Sequence, residues 1–332
     1  MEYSAILAEL KKKNYRPVYL LQGDEPYFID LIAHYIEKNV LDDAEKEFNQ
    51  TILYGADTNV PSIISVAKRY PMMSDRMVLI IKEAQTIKKI EELESYVNNP
   101  LDSTILVICY KNKKVDKRTS FAKIIGKKGV LFDSARIRDY KIPEWISGYI
   151  AEKKYSASPK ALQLLAEYLG NDLGKIVNEL EKLMISLPPG TEITTDHIQQ
   201  NIGISKDFNV FELNDALTKK DVVKANRIVN YFAANSKDHP MQMTLGALYS
   251  FFSKVLQVHF VSDKSKDNLA RSLGVSPYFV QDYIVAGRNY PAAKLKAVFG
   301  YLREYDLKGK GVENESTEPG ELLKELVWKI LH

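Results

Sequence analysis

The segment YLLQGDEPYFI, Tyr19 to Ile29, sets a short apolar run, a glycine and a helix-start proline in the order that cradles phosphate in many nucleotide-binding proteins. The chemistry is wrong for that task. A phosphate loop, G-x-x-x-x-G-K-S/T, supplies consecutive N–H groups, a lysine and a hydroxyl for Mg²⁺. Here only Gly23 remains, and Asp24 and Glu25 put two carboxylates at the helix start, which suits the helix dipole and repels a triphosphate. GNDLGKI, with Gly170, Gly174 and Lys175, is one residue short of the same pattern and ends in Ile176, so it reads as a turn and a helix start. MVLIIKEA ends at Glu83, yet Lys82 stands where a metal-holding acid would precede it, and a solvated strand-end or helix-start residue is the simpler reading. The histidines, His34, His197, His239, His259 and His332, are too scattered for local metal-ligand spacing. Cys109 is the one cysteine, so no intrachain disulfide forms. No G-x-S-x-G, H-E-x-x-H or G-x-G-x-x-G occurs. No catalytic residue, metal or cofactor is expected.

These residues must be positioned by a chain of 332 residues, long enough for two or three domains. Hydrophobic residues make up 45% and charged residues 27%, an ordinary globular mixture. Net charge is +3, so any case for nucleic acid must come from local clustering. No apolar stretch approaches the roughly 18 residues of a membrane span, and a cytoplasmic address without membrane contact is expected. To about residue 140, short apolar runs alternate with helical periods, the pattern of a parallel sheet covered by helices. The strand candidates are Pro17 to Leu21, Phe48 to Tyr54, Met77 to Lys82, Thr104 to Tyr110 and Gly129 to Phe132. Helices are predicted to begin near Asp24, with Pro26 in the first turn, and near Thr58 or Asn59, with Pro61 placed alike. From 141 the strand signals stop: Ser158 with Pro159, and Thr194 or Thr195, read as helix caps. LPPG at Leu187 to Gly190 and the stretch from Ile202 to Lys206 supply turn and linker chemistry, and a further helical part starts near Asp207.

A series of segments in fixed order resembles the delta subunit family of the bacterial DNA polymerase III clamp loader. They are VYLLQGDEPYFID, YPMMSDRMVLIIKEA, VDKRTSFAKII and GNDLGKIVNELEKL, with SPYFVQDYIVAGRNY and YLREYDLKGKG more loosely. The resemblance implies a fold that is α/β plus all-α. An AAA+-like parallel-sheet domain without a phosphate loop (1–140) is followed by a small helical lid (141–206) and a helical collar that joins a pentameric ring (207–332). It implies a job: gripping the ring-shaped sliding clamp (beta) and opening one of its interfaces so that it is loaded on primed DNA. The implied partners are the tau/gamma and delta-prime subunits, and sister subunits hydrolyse the ATP. CYKNKK stands where delta-prime carries Ser-Arg-Cys, so the sister subunit is the poorer match. Any DNA polymerase activity belongs to the holoenzyme, since nothing in this chain looks like a nucleotidyl-transfer site.

Family clamp binding rests on two bulky apolar residues at a helix tip before a strand, which places it on Met72 and Met73, with Pro71, Ser74, Asp75 and Arg76 around them. The Met pair departs from the usual Leu and Phe in type, not in polarity. On the residues alone both methionines read as core beneath Met77 to Ile81, since Met fills gaps readily; the resemblance turns them outward. Lys111 to Lys128, KNKKVDKRTSFAKIIGKK, holds eight basic residues and one acid. Lys111, Lys113, Lys114, Lys117 and Arg118 are candidates for tracking DNA phosphates, against the alternative of a solvated face. The aromatics Tyr249, Phe251, Phe252, Phe260 and Trp328 are expected mostly in core. Two rival functions stand beside the leading one: an active AAA+-type ATPase using an unorthodox site near Gly23, and a free-standing nucleic-acid-binding protein working through the basic run.

Overall fold

The computed structural model describes residues 2–203, 205, 207–314 and 316–332, and the chain divides into two compact units, Met1–Ile137 and Arg138–His332. The linker residues Ile204 and Lys206 lie outside the described residues.

The first unit is built on five strands: β1 (Val18–Gly23), β2 (Gln50–Tyr54), β3 (Met77–Lys82), β4 (Thr104–Lys111) and β5 (Val130–Ser134). They form one parallel sheet in the order β2-β3-β4-β1-β5. The central strands are buried on both faces because helices cover both, as continuous Val/Ile/Leu runs demand. Period-two alternation then sorts the side chains. Tyr19, Leu21, Val78, Ile80, Ile105 and Val107 share a core with α1 (Tyr3–Lys11) and α2 (Pro26–Asn39). Leu20, Leu79, Ile81, Leu106 and Ile108 share the opposite core with α4 (Val60–Ala67), α5 (Glu94–Val97) and α6 (Ser120–Lys128). Between α2 and β2 runs α3 (Asp43–Asn49), too short to hold itself in water. It is started by a reciprocal capping box in which Glu45 N–H donates to Asp42 Oδ1 at 2.8 Å and Asp42 N–H donates to Glu45 Oε2 at 2.9 Å.

The starts of α2 and α4 fall where the prolines predicted them: Glu25 caps α2 and Asn59 caps α4, each with Pro in the first turn. The end of α4 has a separate cause. The Ala67 carbonyl accepts from the Tyr96 hydroxyl at 3.2 Å and the Thr104 hydroxyl at 3.0 Å, both donors buried, so the chain leaves the helix there. The methionine pair therefore stands on a loop several residues beyond α4, not on the helix tip that the resemblance implied.

The second unit is helical apart from a short parallel pair, β6 (Ser156–Ala157) and β7 (Glu192–Ile193). Its first helices are α7 (Ile142–Glu152), α8 (Pro159–Leu169), α9 (Leu173–Ile185) and α10 (Thr195–Ile202), with Ser158 capping α8, Asp172 capping α9 and Thr194 capping α10. GNDLGKI is thus a turn and a helix start. The remaining helices are α11 (Val210–Lys219), α12 (Val222–Ala234), α13 (Met241–Phe260), α14 (Lys266–Leu273), α15 (Val280–Asn289), α16 (Ala292–Gly309) and α17 (Pro319–Leu331). One apolar core runs from Leu213 to Leu331. Of the aromatics expected inside, Phe251 and Phe252 are buried there, whereas Tyr249, Phe260 and Trp328 are exposed. The helical period explains the correction: Leu248, Phe251, Phe252 and Val255 share the inner stripe of α13, and Tyr249 and Phe260 fall off it.

Candidate functional site

Three features lie at loops around the sheet. The first is the turn from β1 to α2, where a nucleotide would be sought. Gly23 adopts φ +133°, and a Cβ there would stand 2.1 Å from the Ser134 carbonyl oxygen. Its neighbours spend their donors internally. The Gly23 N–H donates to the Lys113 carbonyl at 3.2 Å, and Asp24 and Glu25 N–H both donate to the Ser134 carbonyl at 2.9 and 3.2 Å. The Tyr27 N–H donates to the Glu25 carboxylate at 3.1 Å. The chain after β4 folds over this turn: Val115 N–H donates to Gln22 Oε1 at 2.8 Å, and Gln22 Nε2 donates to Asp133 at 2.7 Å. The backbone N–H groups that would wrap a phosphate are occupied by protein acceptors. Glu83, at the end of β3, has φ +54°, opens a single helical turn and accepts from Gln85, a structural post.

The second feature is the loop between α4 and β3. Met72 is 62% exposed and Met73 is 99% exposed, so neither reads as core. Pro71 and Ser74 are half-buried. Met73 holds φ +53°, a left-handed conformation that costs a non-glycine residue about 1–3 kcal/mol and needs support from its surroundings. That support is visible. Asn49, the last residue of α3 and 1% exposed, accepts from the Met72 N–H at 2.7 Å and donates to the Met72 carbonyl at 2.8 Å. Behind the tip, Ser74 Oγ accepts from the Arg76 N–H at 3.3 Å and donates to its carbonyl at 3.2 Å, and the Arg76 guanidinium stacks 5.2 Å from the Tyr15 ring centroid. Two further large apolar side chains on the adjoining segments, Phe48 and Tyr70, are also exposed, at 65% and 78%. Burying each methionine under a partner would contribute about 1.5–3 kcal/mol before the entropic costs of association.

The third feature is the basic run, and four of its five candidate residues are paired. Lys111 Nζ lies 2.8 Å from Asp30 and 3.5 Å from Glu83. Burial works against its charge, but the Asp30 bond and the two carboxylates outweigh it and hold its pKa above the usual lysine value. Lys114 lies 2.8 Å from Asp24, Lys117 pairs with Asp133, and Arg118 lies 2.7 Å from Asp116. The hydrogen bonds from Arg118 hold the Asp116 carboxyl at about 2. Among the described residues, Lys113 is the one of the five candidates with no ion pair. No group of three or more His, Cys, Asp or Glu that would hold a metal ion occurs among the described residues, and no helix there is long and apolar enough to cross a membrane.

Comparison with known proteins decides the family. The family described as DNA polymerase III, delta subunit matches residues 19–134, and the one described as DNA polymerase III delta subunit, C-terminal domain matches residues 207–323, together more than half of the chain. The chain belongs to the DNA polymerase III delta subunit family. Relatives span nearly its whole length: the DNA polymerase III subunit delta of Bacillus subtilis is 22% identical over 313 residues, covering 91% of this chain and 90% of the relative. The probable delta subunit of Aquifex aeolicus is 24% identical over 279 residues, covering 80% and 77%. Among solved structures, the Bacillus subtilis DNA clamp loader delta protein superposes with a TM-score of 0.56 at 20% identity, covering 99% of both chains. The fold is α/β plus all-α, with the AAA+-like parallel sheet in the first unit.

Within this delta-family chain, the resemblance pointed to Pro71, Met72, Met73, Ser74 and Arg76, and they lie on one loop. Phe48 and Asn49, read from the sequence as the start of a strand from Phe48 to Tyr54, instead end α3, and Tyr15 carried no signal. Asn49 has a weak local sign in hindsight, a buried amide ending a short capped helix, but its partner is 23 residues away. Tyr15 meets Arg76 only through the fold.

Proposed function

We propose that this clamp-loader delta chain grips the sliding clamp (beta) with Met72 and Met73 and helps to open one clamp interface for loading on primed DNA. The observation that carries the proposal is a thioether side chain that is 99% exposed on a backbone held in a left-handed turn. Solvent exposure of large apolar groups on an ordered loop marks a contact surface, and Met adapts its shape to a pocket. Pro71, Ser74 and Arg76 shape the loop, through the proline ring, the Ser74 bridge and the Tyr15 stack.

The proposal includes the three-part division. Residues 1–140 carry the tip, 141–206 form the lid, and 207–332 form the collar that meets the tau/gamma and delta-prime subunits in a hetero-pentamer. The continuous core from Leu213 to Leu331 supports the collar as a unit with its own interior. ATP hydrolysis falls to the sister subunits, because the β1–α2 turn has its N–H groups already bonded. DNA contact within the assembled loader involves the basic run, chiefly Lys113, whose charge has no acidic neighbour holding it. A replisome setting in the cytoplasm accompanies this role.

A pull-down of full-length chain with purified sliding clamp tests the central claim. The Met72→Ala, Met73→Ala chain is expected to lose clamp binding and keep its melting midpoint. Unchanged clamp capture, or a collapse of thermal stability, would return the pair to a structural role.

A further inference from the structure

We propose that Asn49 is a positioning residue for the partner contact: its carboxamide presents the Met72–Met73 tip in the one conformation that binds. The inference rests on the tip being the clamp contact. Asn49 is almost wholly buried, and its amide is used at every strong site that faces the loop. Its oxygen accepts from the Met72 N–H at 2.7 Å, and its nitrogen donates to the Met72 carbonyl at 2.8 Å and to the Glu45 carbonyl at 3.1 Å.

Two opposed bonds to one residue's backbone fix both its position and its rotation. The same reciprocal pair of bonds joins two opposed residues in an antiparallel ladder. Met72 thereby becomes a fixed point from which Met73 projects, and the positive φ of Met73 is tolerated because the residue before it cannot turn away. Asn49 in turn sits at the end of α3, whose start is locked by the Asp42–Glu45 capping box. The tip is thus pre-ordered, and a partner meets it without having to organise a free loop.

Neither an aspartate nor an alanine reproduces this. An aspartate keeps the acceptor for the Met72 N–H but turns a carboxylate oxygen toward two carbonyls, and an alanine leaves the Met72 N–H and C=O without their partners. If the loss lowers the binding-competent tip to about one molecule in ten, apparent clamp affinity falls about tenfold.

The test titrates purified sliding clamp against full-length chain, with Asn49→Ala and Asn49→Asp, below the melting midpoint of each. The expected result is an affinity about tenfold weaker for both, and a smaller loss when Asn49→Ala is added to Met73→Ala, since the two act through one contact. Hydrogen exchange on the unsubstituted chain supplies an arm that needs no variant to fold: the Met72 amide is expected to be protected although it lies in a loop. Wild-type affinity in the Asn49 variants overturns the inference, as does full additivity with Met73→Ala or an unprotected Met72 amide. Wild-type affinity in the Met72→Ala, Met73→Ala chain overturns the contact assignment and the inference with it. A weakened double variant beside unweakened Asn49 variants overturns the inference alone.

Discussion

At the scale of single residues, Met73 combines two opposed demands, and one substitution separates them. Its left-handed backbone favours glycine, while its exposed thioether favours a partner. Met73→Gly is therefore expected to raise unfolding free energy by about 1 kcal/mol through relief of the φ strain, less the glycine's larger unfolded-state entropy. The same variant is expected to weaken clamp binding about 10- to 150-fold, the equivalent of one lost methionine anchor. Denaturant melts and clamp titrations on one sample check both signs, and a variant that both binds normally and unfolds more easily would contradict the assignment. Cys109 makes a second residue-scale case. Burial pushes its thiol from 9.0 up to about 12. An acid whose folded pKa is raised favours the fold while neutral, so this contribution is whole below about pH 9 and is lost as pH climbs toward 12. A thiol reagent at pH 8 is expected to leave the native chain unmodified and to label it once unfolded.

At the scale of elements, legibility in the sequence followed locality. The bounds of β3 matched the apolar run Met77 to Lys82, because a strand buried on both faces announces itself with every residue. Helix starts were legible because Asn59 with Pro61 and Ser158 with Pro159 act within one turn. The end of α4 was not, because Tyr96 and Thr104 reach the Ala67 carbonyl from distant segments. The pairing of the basic run was hidden likewise: Asp24, Glu83 and Asp133 come from the ends of other strands and Asp30 from α2. The β1–α2 turn shows the same dependence on a remote element. Gly23→Ala would drive a Cβ against the Ser134 carbonyl on β5 at a backbone angle that side chains avoid. It is expected to cost about 3 kcal/mol or more, read as a lower denaturant midpoint with an unchanged slope. A loss under about 0.5 kcal/mol would show that β1 and β5 part easily at that end.

At the scale of the whole molecule, the question is what an assembly gains from a basic run in which four of the five candidate residues are neutralised by their own chain. A lysine already held at 2.8 Å by a carboxylate, as Lys114 is by Asp24, releases few counterions when a phosphate approaches, because the pair must first open. Lys113 has no such partner to give up. Each phosphate contact contributes about 0.9 to the slope of log affinity against log salt on duplex DNA. In the assembled loader, Lys113→Gln is therefore expected to lower that slope by about 1, while Lys114→Gln lowers it by much less. A further contrast belongs to the isolated chain. Its net charge is only +3, so DNA affinity without sister subunits is expected to be weak and to vanish at physiological salt. Tight, salt-resistant binding by the free chain would favour a self-standing nucleic-acid-binding protein. Equal slopes for the two variants would mean that the ion pairs open freely and that Lys113 holds no special place in the run.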